Sequence, residues 1–376
     1  MIELDAKLPE IDNFEQLFVQ DTPMMDVRAP IEFDDGAFPS AINRPLMDNS
    51  ERERVGIRYK EQGQDAAIEL GIELVSNETK GQRIEAWKQF INENPGGILY
   101  CFRGGLRSKI TQQWIKDELD ITVPRIKGGY KALRNYLIEQ LKISASEIKP
   151  IVIGGKTGSG KTLFIQKFDK TIDLEKLAWH RGSAFGKHAT PQPAQIDFEN
   201  ALSVELLKFR HKNQFHLLFE DESRNIGSKH IPDYFFPCME NAPVVQLEVA
   251  LEQRINITFD EYITESLSEY KVLHGEDAGF SAWTEQLTNS MYRIRKRLGG
   301  VNYVKVNNML NNAINTHRET GNTSHHRDWI EFLLTDYYDS MYSYQLSKKK
   351  HRIVFSGNEN EVIDFLSTEY DIQANS

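Results

Sequence analysis

Cysteine is nearly absent from this chain of 376 residues. Only Cys101 and Cys238 occur, far apart, which excludes a disulfide framework and any zinc site built on paired cysteines. Also missing is any run of about 18 uninterrupted apolar residues, so no membrane span is expected. The first residues, Met1 to Gln16, lack the basic and apolar regions of a secretory signal, and the expected location is cytoplasmic. No internal repeat and no low-complexity tract occurs. Positive charge is in deficit: 45 Lys and Arg face 55 Asp and Glu, a formal charge of −10. The chain as a whole therefore repels nucleic acid, and any RNA contact must use a local basic patch.

What is present describes an ordinary globular protein, with 40% hydrophobic and 27% charged residues. The length exceeds one domain of about 100–200 residues, so two are expected, at 1–145 and 146–376. The order of elements reads as α/β. Apolar strands at Pro23–Arg28 and Gly97–Tyr100 are separated by charged helical sequence from Asn49 to Glu93, with Gly71 and Gly81 as expected breaks. A helix carrying Ile110, Trp114, Ile115 and Leu119 follows, then another to about Leu141, then a polar linker from Ser144 to Pro150. The second half opens with a strand at Ile151–Ile153 and a helix from Lys161. Further strands are expected at Phe215–Phe219 and Val244–Val249, and a helical region from Ser281 ends in a strand at Arg352–Phe355.

Between the Ile151–Ile153 strand and its helix lies Gly155-Lys156-Thr157-Gly158-Ser159-Gly160-Lys161-Thr162, a full match to G-x-x-x-x-G-K-[ST] in the strand-to-helix setting that motif requires. Gly155, Gly158 and Gly160 let backbone N–H groups converge on phosphate oxygens, Lys161 adds positive charge, and the Thr162 hydroxyl can ligate Mg²⁺. Whether the loop grips a nucleotide or another polyphosphate is not encoded in it. Glu220-Asp221-Glu222 follows the Phe215–Phe219 strand, where a phosphate-loop protein carries the acidic partner of its Mg²⁺. Asp221 and Glu220 are the candidates. Solvated acids at a strand end are the plainer alternative.

Cys101 ends a buried strand and is followed by Arg103, Gly104, Gly105 and Arg107 at the start of a helix. Such a setting surrounds a thiol with backbone N–H groups and favours the thiolate, while Arg103 and Arg107 can hold an anionic donor. A lone cysteine is more commonly buried and inert, but its flanks are then apolar, as they are around Cys238.

Asp26-Val27-Arg28-Ala29 with Gly36 to Asn43, the loop Cys101 to Ser108, and Gly128-Gly129-Tyr130 resemble the rhodanese domain over roughly residues 10–140. Joined to a phosphate-loop domain, they resemble the tRNA 2-selenouridine synthases. Asp48 to Tyr59, His180 to Gly186, Glu220 to Arg224, and Tyr337-Tyr338-Asp339 with Met341-Tyr342 extend that resemblance over nearly the whole chain. The resemblance implies a rhodanese-like domain followed by a P-loop NTPase-like parallel-sheet domain with a helical C-terminal region. It also implies a tRNA-modifying transferase that geranylates wobble 2-thiouridine with geranyl diphosphate and then replaces sulfur by selenium from selenophosphate. Cys101 would carry the selenium, the phosphate loop would hold the prenyl diphosphate, and ATP would not be needed. The implied partners are the tRNA anticodon arm and an enzyme that supplies selenophosphate.

RNA contact needs basic residues, and three clusters offer them: Arg125-Lys127-Lys131-Arg134, Arg293-Arg295-Lys296-Arg297, and Lys348 to Arg352. The second, following Tyr292, is the leading candidate. His180-Arg181 lies in a Gly/Ser-rich loop suited to a nucleotide or a diphosphate, and His325-His326 reads as surface. Two other functions fit the motifs. One is a rhodanese-type sulfurtransferase driven or gated by ATP hydrolysis at the phosphate loop. The other is a nucleotide-sensing regulator with a decayed rhodanese domain, against which stands the retained Cys101.

Overall fold

Short apolar runs such as Met24-Met25 and Ile98-Leu99-Tyr100 suit strands buried on both faces, which is what parallel pairing with helical crossovers requires. The computed structural model describes residues 4–375, and these form two compact units, 4–144 with 194–212 and 145–193 with 213–375. Helix Gln195–His211, which the sequence places inside the phosphate-loop half, thus packs in the first unit.

In the first unit, strands β1 (Glu10–Ile11), β2 (Met24–Asp26), β3 (Ala41–Asn43), β4 (Ile98–Tyr100) and β5 (Arg125–Ile126) form one parallel sheet in the order β1-β5-β4-β2-β3. Side chains alternate across it. Met25, Val27, Leu99 and Cys101 face Trp87, Phe90, Trp114 and Ile115 from helices Asn77–Glu93 and Leu106–Leu119. Met24, Ile98, Tyr100 and Ile126 face Leu133 and Leu137 of helix Gly129–Glu147, together with Val204 and Leu207. The α/β class with parallel sheets is as the sequence implies. The linker is not: helix Gly129–Glu147 continues through Ser144, and the next strand begins at Lys149. Gly71 and Gly81 likewise lie within helices. The breaks fall at Gly63, with φ +84°, and between helices Asn49–Leu74 and Asn77–Glu93. A glycine breaks a helix only where its backbone leaves the helical region, and Gly71 stays helical with Val55 packed beside it.

The second unit has strands β6 (Lys149–Gly154), β7 (Thr171–Ile172), β8 (His216–Glu220), β11 (Val244–Leu247) and β12 (Ile353–Gly357) in a second parallel sheet, ordered β12-β11-β6-β8-β7, with a small hairpin of β9 (Asn225–Ile226) and β10 (Lys229–His230). The helix after the phosphate loop is only Lys161–Ile165. From Leu251 to Lys349 the chain is mainly helical around a core of Trp283, Leu287, Met291, Leu310 and Trp329. This region contains two π-helical turns, Asp260–Glu265 and Leu333–Tyr338. His326 is not a surface residue. It is fully buried in that core, accepts from Trp329 Nε1 at 3.0 Å, and burial pushes its pKa down to about 3.

Asp26 and Arg28, at the end of β2, are buried charges with each other as partners. Arg28 donates to Asp26 at 2.6 and 2.8 Å and to the Gly36 carbonyl at 2.7 Å, and its guanidinium lies 3.9 Å over the Tyr130 ring. Removing one partner leaves an uncompensated buried charge, so Arg28→Ala should lower unfolding stability by about 3–5 kcal/mol in urea denaturation. The double change Asp26→Leu with Arg28→Met should recover much of that loss. Equal stability of Arg28→Ala and the unaltered protein would show that the pair contributes nothing.

Candidate active sites

Each parallel sheet places one candidate site at the carboxyl ends of its strands. In the first unit, Cys101 follows β4 and is buried at 3% exposure. Its thiol donates to Ser108 Oγ at 3.2 Å, and that hydroxyl donates to the Gly105 carbonyl at 3.0 Å. Gly104 has φ +63°, and a Cβ there would come within 2.7 Å of Gly128 N and 2.8 Å of Ile126 O. The Tyr130 and Lys131 amides donate to the Cys101 and Phe102 carbonyls at 2.9 and 3.0 Å. The Gly128-Gly129-Tyr130 motif is therefore the backing against which the cysteine loop is moulded.

The two arginines of that loop differ. Arg107 is clamped on Glu32 through two hydrogen bonds of 2.5 and 3.0 Å. Burial would lower its pKa, but Glu32 and the nearby Cys101 raise it. Arg103 is exposed, with its guanidinium 5.7 Å from the Phe102 ring. A cavity of about 1200 Å³ opens over Cys101, Arg103, Arg107, Arg28 and Tyr130.

In the second unit the phosphate loop follows β6. Gly158 has φ +76°, and a Cβ there would sit 3.0 Å from the Arg254 carbonyl. Gly160, at φ +67°, precedes helix Lys161–Ile165. Arg254 braces the loop, donating to the Thr157 carbonyl at 3.0 Å and to Asp339 at 2.6 and 3.1 Å, while Lys156 pairs with Asp339 at 2.9 Å. Lys161 Nζ rests on the Gly155 carbonyl at 3.3 Å. A cavity of about 310 Å³ lies in front, and its lining brings together Lys161, Thr162, Arg181, Glu222, Arg297 and the aromatic group Tyr262, Tyr337, Tyr338 and Tyr342. The His180–Gly186, Glu220–Arg224 and Tyr337–Tyr342 stretches, scattered in sequence, thus meet at one loop.

The acidic residues are distributed differently from the simplest reading of Glu220-Asp221-Glu222. Glu220 is fully buried, accepts from the Leu174 amide at 3.0 Å, and is raised well above the usual carboxylate range by burial and by the charges of Asp173 and Glu175. Asp221 pairs with Lys349 at 2.5 Å. The carboxylate nearest the loop hydroxyl is one that sequence reading missed: Thr162 Oγ1 donates to Glu175 at 3.0 Å. Glu175 and Glu222 are hydrogen-bonded; burial pushes both up, with Asp173 adding to the rise of Glu175 and the Glu175 charge to that of Glu222, which is raised further. Glu261, on the first π-helical turn, is also in the lining. No motif spacing marks Glu175 or Glu261. Only the fold delivers them.

Among the described residues, no group of three His, Cys, Asp or Glu side chains stands at metal-holding distance. Arg181 is ion-paired with Glu269, and its Nη1 has no partner among the described residues. Cys238, half-buried on helix Phe236–Glu240, has its thiol pushed up to about 12 by burial.

Two of the three basic clusters are engaged internally. Arg125 pairs with Glu10, Lys127 with Asp12 at 3.4 Å, and Arg134 with Glu199. Lys349 holds Asp221, and Arg352 donates to the Ala242 and Met239 carbonyls at 2.9 and 3.3 Å. On helix Glu276–Leu298, Arg295 lies 3.5 Å over the Tyr292 ring, whereas no ion pair engages Arg293, Lys296 or Arg297 among the described residues. Arg297 lines the phosphate-loop cavity.

A family model described as the tRNA 2-selenouridine synthase AAA domain matches residues 148–372. The tRNA 2-selenouridine synthase of Marinobacter nauticus is 48% identical over 360 residues, covering 96% of this chain and 98% of that protein. The proteins of the same name from Pseudomonas aeruginosa and Hahella chejuensis are 47% and 48% identical, covering 94% and 95% of this chain and 96% and 94% of theirs. No helix among the described residues is long and apolar enough to cross a membrane.

Burial and the nearby Glu175 charge push Glu261 up to about 7. The folded state thus holds a proton that the unfolded chain releases near 4.5, so this residue's contribution to stability is fully present below about pH 4.5 and is lost as pH rises through about 7. Glu261→Gln should therefore raise unfolding stability by about 2–3 kcal/mol at pH 8 and by little at pH 4.5, read from denaturant midpoints. A stability change that is the same at both pH values would exclude this ionisation.

Proposed function

The chain belongs to the tRNA 2-selenouridine synthase family, and from that membership we propose that it converts wobble 2-thiouridine of tRNA to 2-selenouridine in two steps, one at each site. The observation that carries this reading is the pairing of a braced phosphate loop with an aromatic wall in one cavity. Backbone amides, Lys161 and Arg181 suit a diphosphate. Tyr262, Tyr337, Tyr338 and Met341 suit the apolar chain of geranyl diphosphate.

In the first step the thiocarbonyl sulfur attacks the first carbon of the geranyl group, the carbon–oxygen bond breaks, and diphosphate leaves. Lys161 turns from the Gly155 carbonyl to the leaving oxygens, and Arg181 and Arg297 add positive charge where negative charge develops. Thr162 and Glu175 offer the kind of oxygen donors that Mg²⁺ prefers. Bound there, the ion would neutralise the diphosphate. Glu222, holding the proton it shares with Glu175, keeps the anion from meeting two adjacent negative charges.

In the second step selenophosphate, delivered by a selenophosphate-forming enzyme, supplies selenium at Cys101. The selenium of selenophosphate attacks the base carbon, the carbon–sulfur bond breaks, and geranylthiol leaves; water then cleaves the phosphorus–selenium bond and inorganic phosphate departs. Cys101 lines the cavity where the donor meets the base, and its thiol is the group placed to direct the selenium there. Arg107 is already neutralised by Glu32, so exposed Arg103 is the cation that meets selenophosphate, and Arg107 fixes the loop.

The experiment uses purified protein, an anticodon stem-loop bearing 2-thiouridine, geranyl diphosphate and selenophosphate, with nucleosides read by mass spectrometry. Cys101→Ala should accumulate S-geranyl-2-thiouridine and form no selenouridine. Lys161→Ala should lose geranylation by about 100-fold or more yet still convert stem-loop that is supplied already geranylated. Selenouridine formed at the normal rate by Cys101→Ala would overturn the Cys101 assignment. A requirement for ATP in either step would replace this reading with an ATP-driven one.

Arg293, Lys296 and Arg297 are the cations we assign to the tRNA, with Arg295 set on Tyr292 beside them. With about four phosphates neutralised, the plot of log affinity against log salt should have a slope of about −3 to −4. Changing Arg293 and Lys296 together to Ala should weaken binding to all tRNA sequences alike and reduce that slope by about 2. An unchanged slope would place the RNA on another surface.

A further inference from the structure

Beside the Cys101 cavity the first unit contains a second hollow, of about 370 Å³, which the chemistry above does not use. That is the size of a small-ligand pocket, for which about 300–1,000 Å³ is usual. Its walls are Leu46, Ala67, Ile68, Ile72, Val75 and Trp114, from helices Asn49–Leu74 and Leu106–Leu119 and the segments beside them. Helix Asn49–Leu74 is interrupted at Gly63, where φ is +84° and ψ is −172°, and residues of both its arms, Val55 and Tyr59 before the break and Ala67, Ile68 and Ile72 after it, line the hollow.

Arg107 is the one charged residue in the lining, and its charge is matched by Glu32. An apolar guest would therefore meet no unpaired cation. An apolar hollow of this size normally collapses, because unfilled space forfeits packing contacts. This one is continuous with the site of selenium chemistry: Met47, Val55, Tyr59, Leu106 and Arg107 line both cavities.

We infer that this hollow receives the geranyl chain of S-geranyl-2-thiouridine while sulfur is exchanged for selenium at Cys101. The inference rests on the two-step reading above. In that reading the substrate arriving at the Cys101 cavity carries a long apolar chain on the sulfur to be displaced. Without a receptor the chain would lie in water across the thiol. Seated in the hollow, it fixes the carbon–sulfur bond that must break and removes its own surface from water.

The test compares two anticodon stem-loops, one bearing S-geranyl-2-thiouridine and one bearing S-methyl-2-thiouridine, each offered with selenophosphate to the full-length protein in single-turnover assays. The unaltered protein should prefer the geranyl substrate by roughly 100-fold in kcat/KM, mostly through KM. Ala67→Phe, which fills the hollow, should reduce that preference at least tenfold. Ile68→Gln, at a half-buried position, should do the same by making the hollow polar, and it serves if Ala67→Phe does not fold.

If the unaltered protein prefers geranyl and both variants keep that preference, the hollow is not the receptor while the two-step reading stands. If it converts both substrates without preference, no receptor for the chain exists. Failure to convert either alkylated substrate overturns the two-step reading and this inference together.

Discussion

Parallel strand pairing is the constraint from which the placement of both sites follows. Every neighbour pair in the two five-stranded sheets is parallel, so within each sheet all carboxyl ends emerge along one edge. Along the first edge come Asp26 and Arg28 after β2, Cys101 after β4 and Gly128-Gly129 after β5. Along the second come the phosphate loop after β6, Asp173 and Glu175 after β7, and Glu220 to Glu222 at the end of β8. Parallel neighbours need crossover connections, and these cover both faces of each sheet with helices. The strand interiors must therefore be apolar, and polar chemistry is confined to the ends. The buried charges of the sheets keep to strand ends: Asp26, Arg28 and Glu220 lie at or just beyond a strand's last residue, and Arg125 opens β5.

The two edges meet opposite electrostatic problems. Around Cys101 the fold neutralises charge pairwise, Arg28 with Asp26 and Arg107 with Glu32, and leaves Arg103 in solvent. The thiol is thus set in a rigid, nearly neutral frame. Around the phosphate loop, burial and crowding instead raise the pKa of Glu175, Glu220, Glu222 and Glu261. The protons these acids retain limit their repulsion of a bound anion, while Arg254 and Asp339 fix the loop from behind. Matched ions hold both loops rigid. At the second site, protons held by burial also keep the crowded acids from repelling one another.

Much of this was legible in the sequence, and what was not has a common cause. Glycines in motifs are readable because each meets a local backbone demand, as at Gly104 and Gly158, where both φ and steric crowding exclude a Cβ. Gly71 and Gly81 carried no such demand, and the helices pass through them. The strand-helix order was likewise local, since runs such as Ile98–Tyr100 have nowhere to go but a buried sheet. Residues recruited by tertiary packing were silent. Glu175 reaches Thr162 only because β7 lies beside β8, and Glu261 and Tyr262 reach the cavity on a π-helical turn that no residue pattern announces. His326 was misread as surface because both its ring nitrogens are satisfied inside the core, Nδ1 by the Trp329 indole N–H and Nε2 by His317, partners that no residue pattern announces.

Charge shows the same limit in a form that bears on function. Three basic clusters look equivalent as sequence, but a cation's usefulness to RNA depends on whether an acid already holds it. In the first cluster Arg125, Lys127 and Arg134 are paired within their own unit, and in the third Lys349 and Arg352 secure Asp221 and the Met239 and Ala242 carbonyls at the end of helix Phe236–Glu240. Releasing any of these to a phosphate would break an existing contact, so the net gain would be small. The C-terminal end of helix Glu276–Leu298 presents Arg293, Lys296 and Arg297 with no ion pair among the described residues, and there the helical spacing does something further. Arg293 and Arg297, four residues apart, share a face. Arg297 lines the phosphate-loop cavity, and Arg293 is close enough to His180 to help hold its pKa down to about 4, though burial is the larger cause. A polyanion bound along that face would therefore lie next to the phosphate loop. On the proposed assignment of this face to tRNA, one helix face and not the protein's net charge would hold the RNA beside the phosphate loop.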